Sequence, residues 1–318
     1  MPFFIVFGIL LALTLIVVTL SYICYKIVFF SKNAQNISKE DFPLPPGKIY
    51  EPYYPLMKRW MQETREMPCE WVSITSFDGL TLWGRYYEYA KGAPIELLFH
   101  GYRGTSDRDL CGGVQRCFAL GRSVLLIDQR GSGRSEGHVI SFGINEHKDC
   151  LRWIDFAIEK FGKDVTIMLG GISMGASTVL MAAGKELPKN VVCVLGDCGF
   201  SSPKAIIQKV VRQMHLPPFL VYPFIKLGAK LFGKFDLEET SPLKAMETCK
   251  LPVLLIHGEA DDFVPCEMSC QMYEVCPTIK KLVVMEGAGH GACYLKGQAA
   301  YIDAIKQFET ECQCAQEI

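Results

Sequence analysis

The stretch Leu169-Gly170-Gly171-Ile172-Ser173-Met174-Gly175-Ala176-Ser177 sets a serine among small residues, between an apolar run (VTIML, 165–169) and a helix-forming one (ASTVLMAA, 176–183). Its inner five residues fit G-x-S-x-G, the pattern of a serine on a sharp strand-to-helix turn. Glycine is needed two positions to either side, because a Cβ there would collide with the neighbouring strand and helix. Such a turn projects the Ser173 hydroxyl beyond the sheet edge. The helix behind it points free backbone N–H groups at a developing oxyanion.

Serine alone is a poor nucleophile, so this reading requires a base and an orienting acid elsewhere in the chain. Gly287-Ala288-Gly289-His290-Gly291 supplies His290 in a flexible loop after the last expected strand. The acid is expected from 257–265 (HGEADDFVP), where Asp261 and Asp262 can both reach an imidazole; Asp197, ending the preceding strand, is a further candidate. His257 is expected to stabilise the strand-end turn. The second oxyanion donor should follow the first parallel strand. His100-Gly101-Tyr102-Arg103-Gly104-Thr105 stands there, so the N–H of Tyr102 is expected to join that of Met174. This loop has the narrow H-G-x form rather than three glycines. Residues 128–137 (DQRGSGRSEG) lack the G-K-[ST] ending of a phosphate loop and read as structural support beside the site.

Working outward, short apolar runs at 95–100, 123–128, 165–171, 191–197, 252–257 and 281–286 alternate with amphipathic segments near 109–120, 144–161, 174 onward, 266–276 and 297–311. Continuous apolar strands separated by helices predict an α/β fold with a mostly parallel sheet of about eight strands, covered on both faces. Ligands then bind beyond the carboxyl ends of the strands. Trp71–Phe77 and Leu80–Tyr89, joined by Asp78-Gly79, read as an antiparallel hairpin. Between Asp197 and Lys250 no strand signal occurs; a helical cap is expected at about 200–248. Met214, Leu216, Phe219 and Tyr222 of that cap, with Phe263, are the expected substrate pocket, suited to an acyl chain or another apolar group. The cap run 203–235 carries Lys204, Lys209, Arg212, Lys226, Lys230 and Lys234. These cations suit carboxylate- or phosphate-bearing substrates, or form a solvated helix face.

The first charged side chain is Lys26, so residues 1–30 read as a membrane-spanning anchor. No basic leader precedes the run and no A-x-A-like site follows it, which disfavours a cleaved signal peptide. Lys26, Lys32 and Lys39 follow the span and place the body in the cytoplasm. A proline-rich tether is expected over 31–55 and the folded body over 56–318. With 33 basic and 34 acidic residues there is no basic face for nucleic acid. The 14 cysteines show neither a framework spacing nor a C-x-x-C pair, so they read as free thiols and no metal site is expected.

Taken together LFHGYRG, DQRGSGRSEG, GGISMGAS, HGEADDFVP and GAGHG, in this order, resemble the α/β-hydrolase superfamily over roughly residues 70–311. Within it the chain is similar to bacterial membrane-anchored or cytoplasmic hydrolases with serine-aminopeptidase-like and bile-acid-acyltransferase-like domains. That resemblance implies a triad acid at the fifth position of H-G-x-x-D-x-x-V-P, which is Asp261. Ser132 departs from the histidine many relatives carry in D-x-R-G-x-G-x-S. The implied activity is serine hydrolysis of an ester or related acyl bond by Ser173, Asp261 and His290, with no cofactor and a small-molecule or lipid-like acyl substrate. Peptidase or acyltransferase chemistry on the same triad is the alternative. A non-catalytic membrane-tethered protein of this fold is a third reading.

Overall fold

The apolar runs at the centre of the chain form strands because each is screened from water on both faces. The structure, a computed structural model, describes residues 2–32 and 42–316. Strands β1 (Glu70–Thr75) and β2 (Thr81–Tyr87) form the antiparallel hairpin, and β2 joins β4 (Ser123–Ile127) antiparallel. Then β3 (Ile95–Phe99), β5 (Ile167–Ile172), β6 (Val191–Asp197), β7 (Val253–Gly258) and β8 (Lys280–Met285) continue in parallel. The order β1-β2-β4-β3-β5-β6-β7-β8 makes a single eight-stranded sheet.

Alternate residues serve opposite faces. Leu97, Phe99, Leu125 and Leu169 pack with Trp153 and Ile154 of α5 (Glu146–Phe161) and Val179 and Leu180 of α6 (Met174–Ala183), next to Met272 of α10 (Glu267–Val275). On the other face Leu98 and Leu126 meet Val114 and Cys117 of α4 (Gly113–Ala119), while Leu195, Leu254 and Ile256 meet Tyr301, Ile305 and Phe308 of α12 (Gln298–Gln316). The single helix expected near 109–120 is two, α3 (Ser106–Asp109) and α4. Gly113 opens α4, where a Cβ would press on Leu98.

The cap region holds α7 (Pro203–Gln213), α8 (Pro218–Gly228), a π turn (Ala229–Gly233) and α9 (Pro242–Met246). Ser202 and Ser241 cap α7 and α9 by accepting the N–H three residues on. The cap's apolar faces are occupied. Ile206, Ile207, Val211, Tyr222 and Ile225 share a buried cluster with Tyr25 and Phe29, from the end of α1 (Pro2–Val28) and the residue after it.

Within α1, Phe3–Val28 is long and apolar enough to cross a membrane, and most of its side chains are exposed. Its last turns belong to the body. Gly228 lies so close to Ser21 and Tyr25 that any side chain there would collide with the Ser21 carbonyl. Tyr102 Oη donates to the Val28 carbonyl (2.6 Å) and Arg103 Nη2 to that of Ile27 (2.7 Å), serving carbonyls that a helix end leaves open.

The tether expected over 31–55 differs in its second half; residues 33–41 lie outside the described residues. Phe42 and Leu44 pack against Trp60 and Met61, a short turn spans Glu51–Tyr53, and α2 (Tyr54–Glu66) follows directly. Buried Met57, Trp60, Met61 and Thr64 mark the face of α2 that docks on the body.

Candidate active site

Ser173 stands between β5 and α6 at φ 56°, ψ −118°, a backbone conformation that non-glycine residues rarely hold. Both flanking glycines are sterically required. A Cβ on Gly175 would collide with the Phe99 carbonyl, and one on Gly171 with the Gly175 backbone. The Ser173 N–H donates to the Asp197 carbonyl (2.8 Å), which fixes the turn against β6.

The structure brings Ser173, His290 and Asp261 together. His290 Nε2 is 2.9 Å from Ser173 Oγ, and His290 Nδ1 is 2.7 Å from Asp261 Oδ2. Burial works to raise the Asp261 carboxyl, but the hydrogen bonds from His257 and His290 and from the Val264 N–H prevail and hold it well below the usual carboxylate range. His257 therefore has a place in the site: Nε2 lies 3.3 Å from Asp261 Oδ2 and 2.8 Å from the Val264 carbonyl, with Nδ1 2.7 Å from Ser269 Oγ. Asp262 lines the cavity but is not the carboxylate that meets His290, and its carbonyl accepts Lys209 of the cap. Asp197 is also buried, but its Oδ2 accepts from Tyr301 (3.1 Å), and desolvation raises its carboxyl above the usual range.

Tyr102 and Met174 lie on the Ser173 side of the strand ends, and neither backbone N–H is engaged with another described residue. Gly101, before Tyr102, is fixed by its N–H to Asp109 Oδ2 (3.0 Å), and Arg108 pairs with that carboxylate (2.6 Å). Below them His100 Nε2 accepts the Gln129 N–H (3.0 Å), so His100 braces two loops. In the glycine-rich loop the Asp128 carboxylate accepts the N–H groups of Ser106 and Arg134 and fills the space a phosphate would need. The loop is structural support.

A cavity of about 710 Å³ opens on Ser173 and His290. Phe263 lines it and packs edge-on against His290 (5.0 Å). Met214, Leu216, Phe219 and Tyr222 do not line it, which corrects the expected pocket. Phe219 is 74% exposed on the turn side of the cap, and Tyr222 is buried with its hydroxyl donating to Glu238 (3.0 Å). The physical reason is that α8 spends its apolar face on α1, so the cap stands beside the mouth instead of over it. The walls come from unexpected quarters: Pro45, Ile49, Tyr50, Met57 and Trp60 before the sheet, Leu110 and Cys111 between β3 and β4, and Tyr294 after β8. Trp60 stacks on Tyr294 (5.3 Å) across Gly112. Tyr50 Oη donates to the His290 carbonyl at 2.6 Å. The signal for Met57, Trp60, Met61 and Thr64 was their helical spacing.

Cys198 Sγ, an Asp261 oxygen and a His290 nitrogen lie within 4.8 Å of one another, the only such grouping among the described residues. It makes a poor metal site. Burial, and after it the nearby Asp197 and Asp261 charges, keep the Cys198 thiol protonated, and His290 Nδ1 is taken by Asp261.

The family model for the alpha/beta hydrolase fold matches residues 97–225. A solved structure of the esterase Pf2001 from Pyrococcus furiosus superposes with a TM-score of 0.63 at 20% identity, covering 85% of this chain and 99% of that one. Among curated relatives, the uncharacterized protein YqkD of Bacillus subtilis is 29% identical over 190 residues; the match spans 59% of this chain and 62% of YqkD. Protein bem46 of Schizosaccharomyces pombe is 26% identical over 275 residues, 85% of this chain and 81% of that protein. With the sheet order and the serine turn already described, these likenesses show that the chain has the alpha/beta hydrolase fold.

Proposed function

We propose that the protein is a serine hydrolase that cleaves an ester bond through an acyl-enzyme on Ser173. The observation that carries this reading is the unbroken relay from Ser173 Oγ through His290 to Asp261. As Oγ attacks the substrate carbonyl, His290 Nε2 takes its proton and the carbonyl electrons move onto oxygen. The N–H groups of Tyr102 and Met174 stabilise that oxyanion. Collapse breaks the bond to the alcohol, which leaves with the proton from His290. Water then repeats the sequence, releasing the acid and restoring Ser173. The chemistry needs no cofactor.

Ile49, Met57, Trp60, Leu98, Leu110 and Tyr294 make the cavity walls largely apolar, which favours an apolar acyl group as the bound part. The Pyrococcus furiosus neighbour is itself an esterase, which agrees with this reading. In it α1 is a membrane anchor that holds the cavity near lipid-derived substrates, with Lys26, Lys32 and Lys39 on the cytoplasmic side.

The test is labelling of the full-length protein in detergent with a fluorophosphonate probe, followed by hydrolysis of p-nitrophenyl esters of increasing acyl length. Labelling and turnover by the wild type, both absent in Ser173→Ala, are expected. A folded wild type that neither labels nor hydrolyses any ester overturns the proposal.

A further inference from the structure

The cavity is apolar along its walls but not throughout. Arg116 of α4 and Asp197 at the end of β6 both line it, with Tyr301 between the elements that carry them. All three are at least nine-tenths buried, at 5%, 4% and 3% exposure. Arg116 Nη2 is held by Glu96 Oε1 (2.5 Å), and Glu96 is further engaged by Arg122 (2.9 Å). Arg116 Nη1 has no hydrogen-bonding partner among the described residues. Asp197 Oδ2 accepts from Tyr301, and the Cys293 thiol is a weak donor to the same carboxyl, yet Oδ1 is likewise unpartnered. Two residues of the cavity lining therefore carry one unmet donor and one unmet acceptor, both buried within the wall and closed off from bulk water.

Buried polar groups are nearly always satisfied, so such a pair points to a polar atom brought by whatever fills the cavity. Charge narrows its chemistry. Arg116 and Arg122 already face Glu96 and Glu309, so no net positive charge is left over to attract an anion. A carboxylate entering here would also meet the Asp197 carboxyl. A methyl or methylene would leave both groups unmet. A neutral hydroxyl both donates and accepts, and so serves Asp197 Oδ1, Arg116 Nη1 or both.

Resting on the serine-hydrolase reading above, we propose that Arg116 and Asp197 form a recognition site for a hydroxyl carried on the acyl group. The preferred substrates are then esters of hydroxyacyl groups, in place of plain fatty acyl esters. A site built to hydrogen-bond a substrate hydroxyl discriminates strongly against the analogue that lacks it.

The test uses full-length protein in detergent and p-nitrophenyl esters of matched chain length, each pair differing only in a terminal hydroxyl, at butanoyl, hexanoyl and octanoyl lengths. At one or more lengths kcat/KM for the hydroxylated ester should exceed that for the plain one by at least roughly tenfold. In Asp197→Leu/Tyr301→Phe, which replaces the acceptor and its internal donor together, that ratio should fall towards one. Fluorophosphonate labelling of the same samples separates the two layers of argument. A wild type that labels on Ser173 but shows ratios near one at every length refutes the hydroxyl site alone. Absence of labelling and turnover refutes the hydrolase reading and this proposal with it. Should the double variant not fold, the wild-type ratio decides by itself.

Discussion

The sharpest consequence of the structure concerns Phe29, immediately beyond the apolar helix. Its side chain is fully buried, with ring centroids 5.9 Å from Phe142 and 5.2 Å from Phe235, both edge-on, and its carbonyl accepts the Ile140 N–H at 2.8 Å. Phe29→Ala keeps that backbone bond and removes the ring. Truncating a buried phenylalanine costs about 3–5 kcal/mol, through lost transfer energy and the cavity left behind. At a few degrees per kcal/mol for a domain of this size, Tm should fall by roughly 10 °C. The control is Leu13→Ala in the same helix, 54% exposed, where a change under about 2 °C is expected. Thermal unfolding of full-length protein in one detergent, followed by tryptophan fluorescence, reads both. Removal of residues 1–30 deletes Tyr25 along with Phe29 and should lower Tm further. If Phe29→Ala melts with the wild type, the end of α1 is not part of the cooperative body, and the packing argument is wrong.

Three further outcomes are expected. Asp261→Asn should lower kcat about 10⁴-fold, because the imidazole loses its orienting acceptor; a loss under tenfold in the ester assay would mean that another acid orients His290. Tyr102→Phe keeps the backbone N–H but removes the bond to the Val28 carbonyl, so kcat should fall roughly threefold to tenfold with KM nearly unchanged; an unchanged kcat would show that the loop holds its place without α1. Glu238 accepts from Lys226, Tyr222 and Lys204, and the Lys226 bond first among these lowers its pKa from 4.5 to about 2. Its contribution to stability is then complete above pH 4.5 and lost as pH falls towards 2. Glu238→Gln should therefore be less stable than wild type near neutrality and converge with it in acid; parallel stability curves would contradict this.

What the sequence made legible follows from how local each requirement is. The serine turn needs glycine at 171 and 175 whatever surrounds it, because the backbone of Phe99 and of Gly175 itself occupies the space. The central strands were readable because β3, β4 and β7 are buried along their whole length, which leaves mostly apolar runs, interrupted in β3 by the ion-paired Glu96. The cavity wall was not readable in the same way. The buried Met57, Trp60, Met61 and Thr64 carry a clear helical period, but nothing local says that the face they form packs beside the serine. In α8, PFLVYPFI is apolar on nearly every side, so its sequence could not tell the face that meets α1 from the side chains left in the open. Tertiary partners more than a hundred residues away made that choice.

That choice changes what the apolar helix means for the chemistry. Tyr102 uses its hydroxyl on the Val28 carbonyl and Arg103 its guanidinium on that of Ile27, while the N–H of Tyr102 is one of the proposed oxyanion donors. Arg103 sits at φ 52°, a left-handed conformation that costs free energy and needs outside support. The open carbonyls at the end of α1 provide it, since a helix C-terminus favours cationic donors. The same α1 end packs through Tyr25 on Gly228, at the end of α8, and Lys209 of the cap reaches the carbonyls of Asp262 and Phe263 beside Asp261. The loop carrying Tyr102 and the loop carrying Asp261 are thus both tied to one helix end. A membrane span joined by a slack linker would localise the protein and nothing more. Here the last turns of α1 are structural members of the body around Ser173, so in the anchor reading proposed above whatever holds α1 also holds the proposed donor loop of Tyr102.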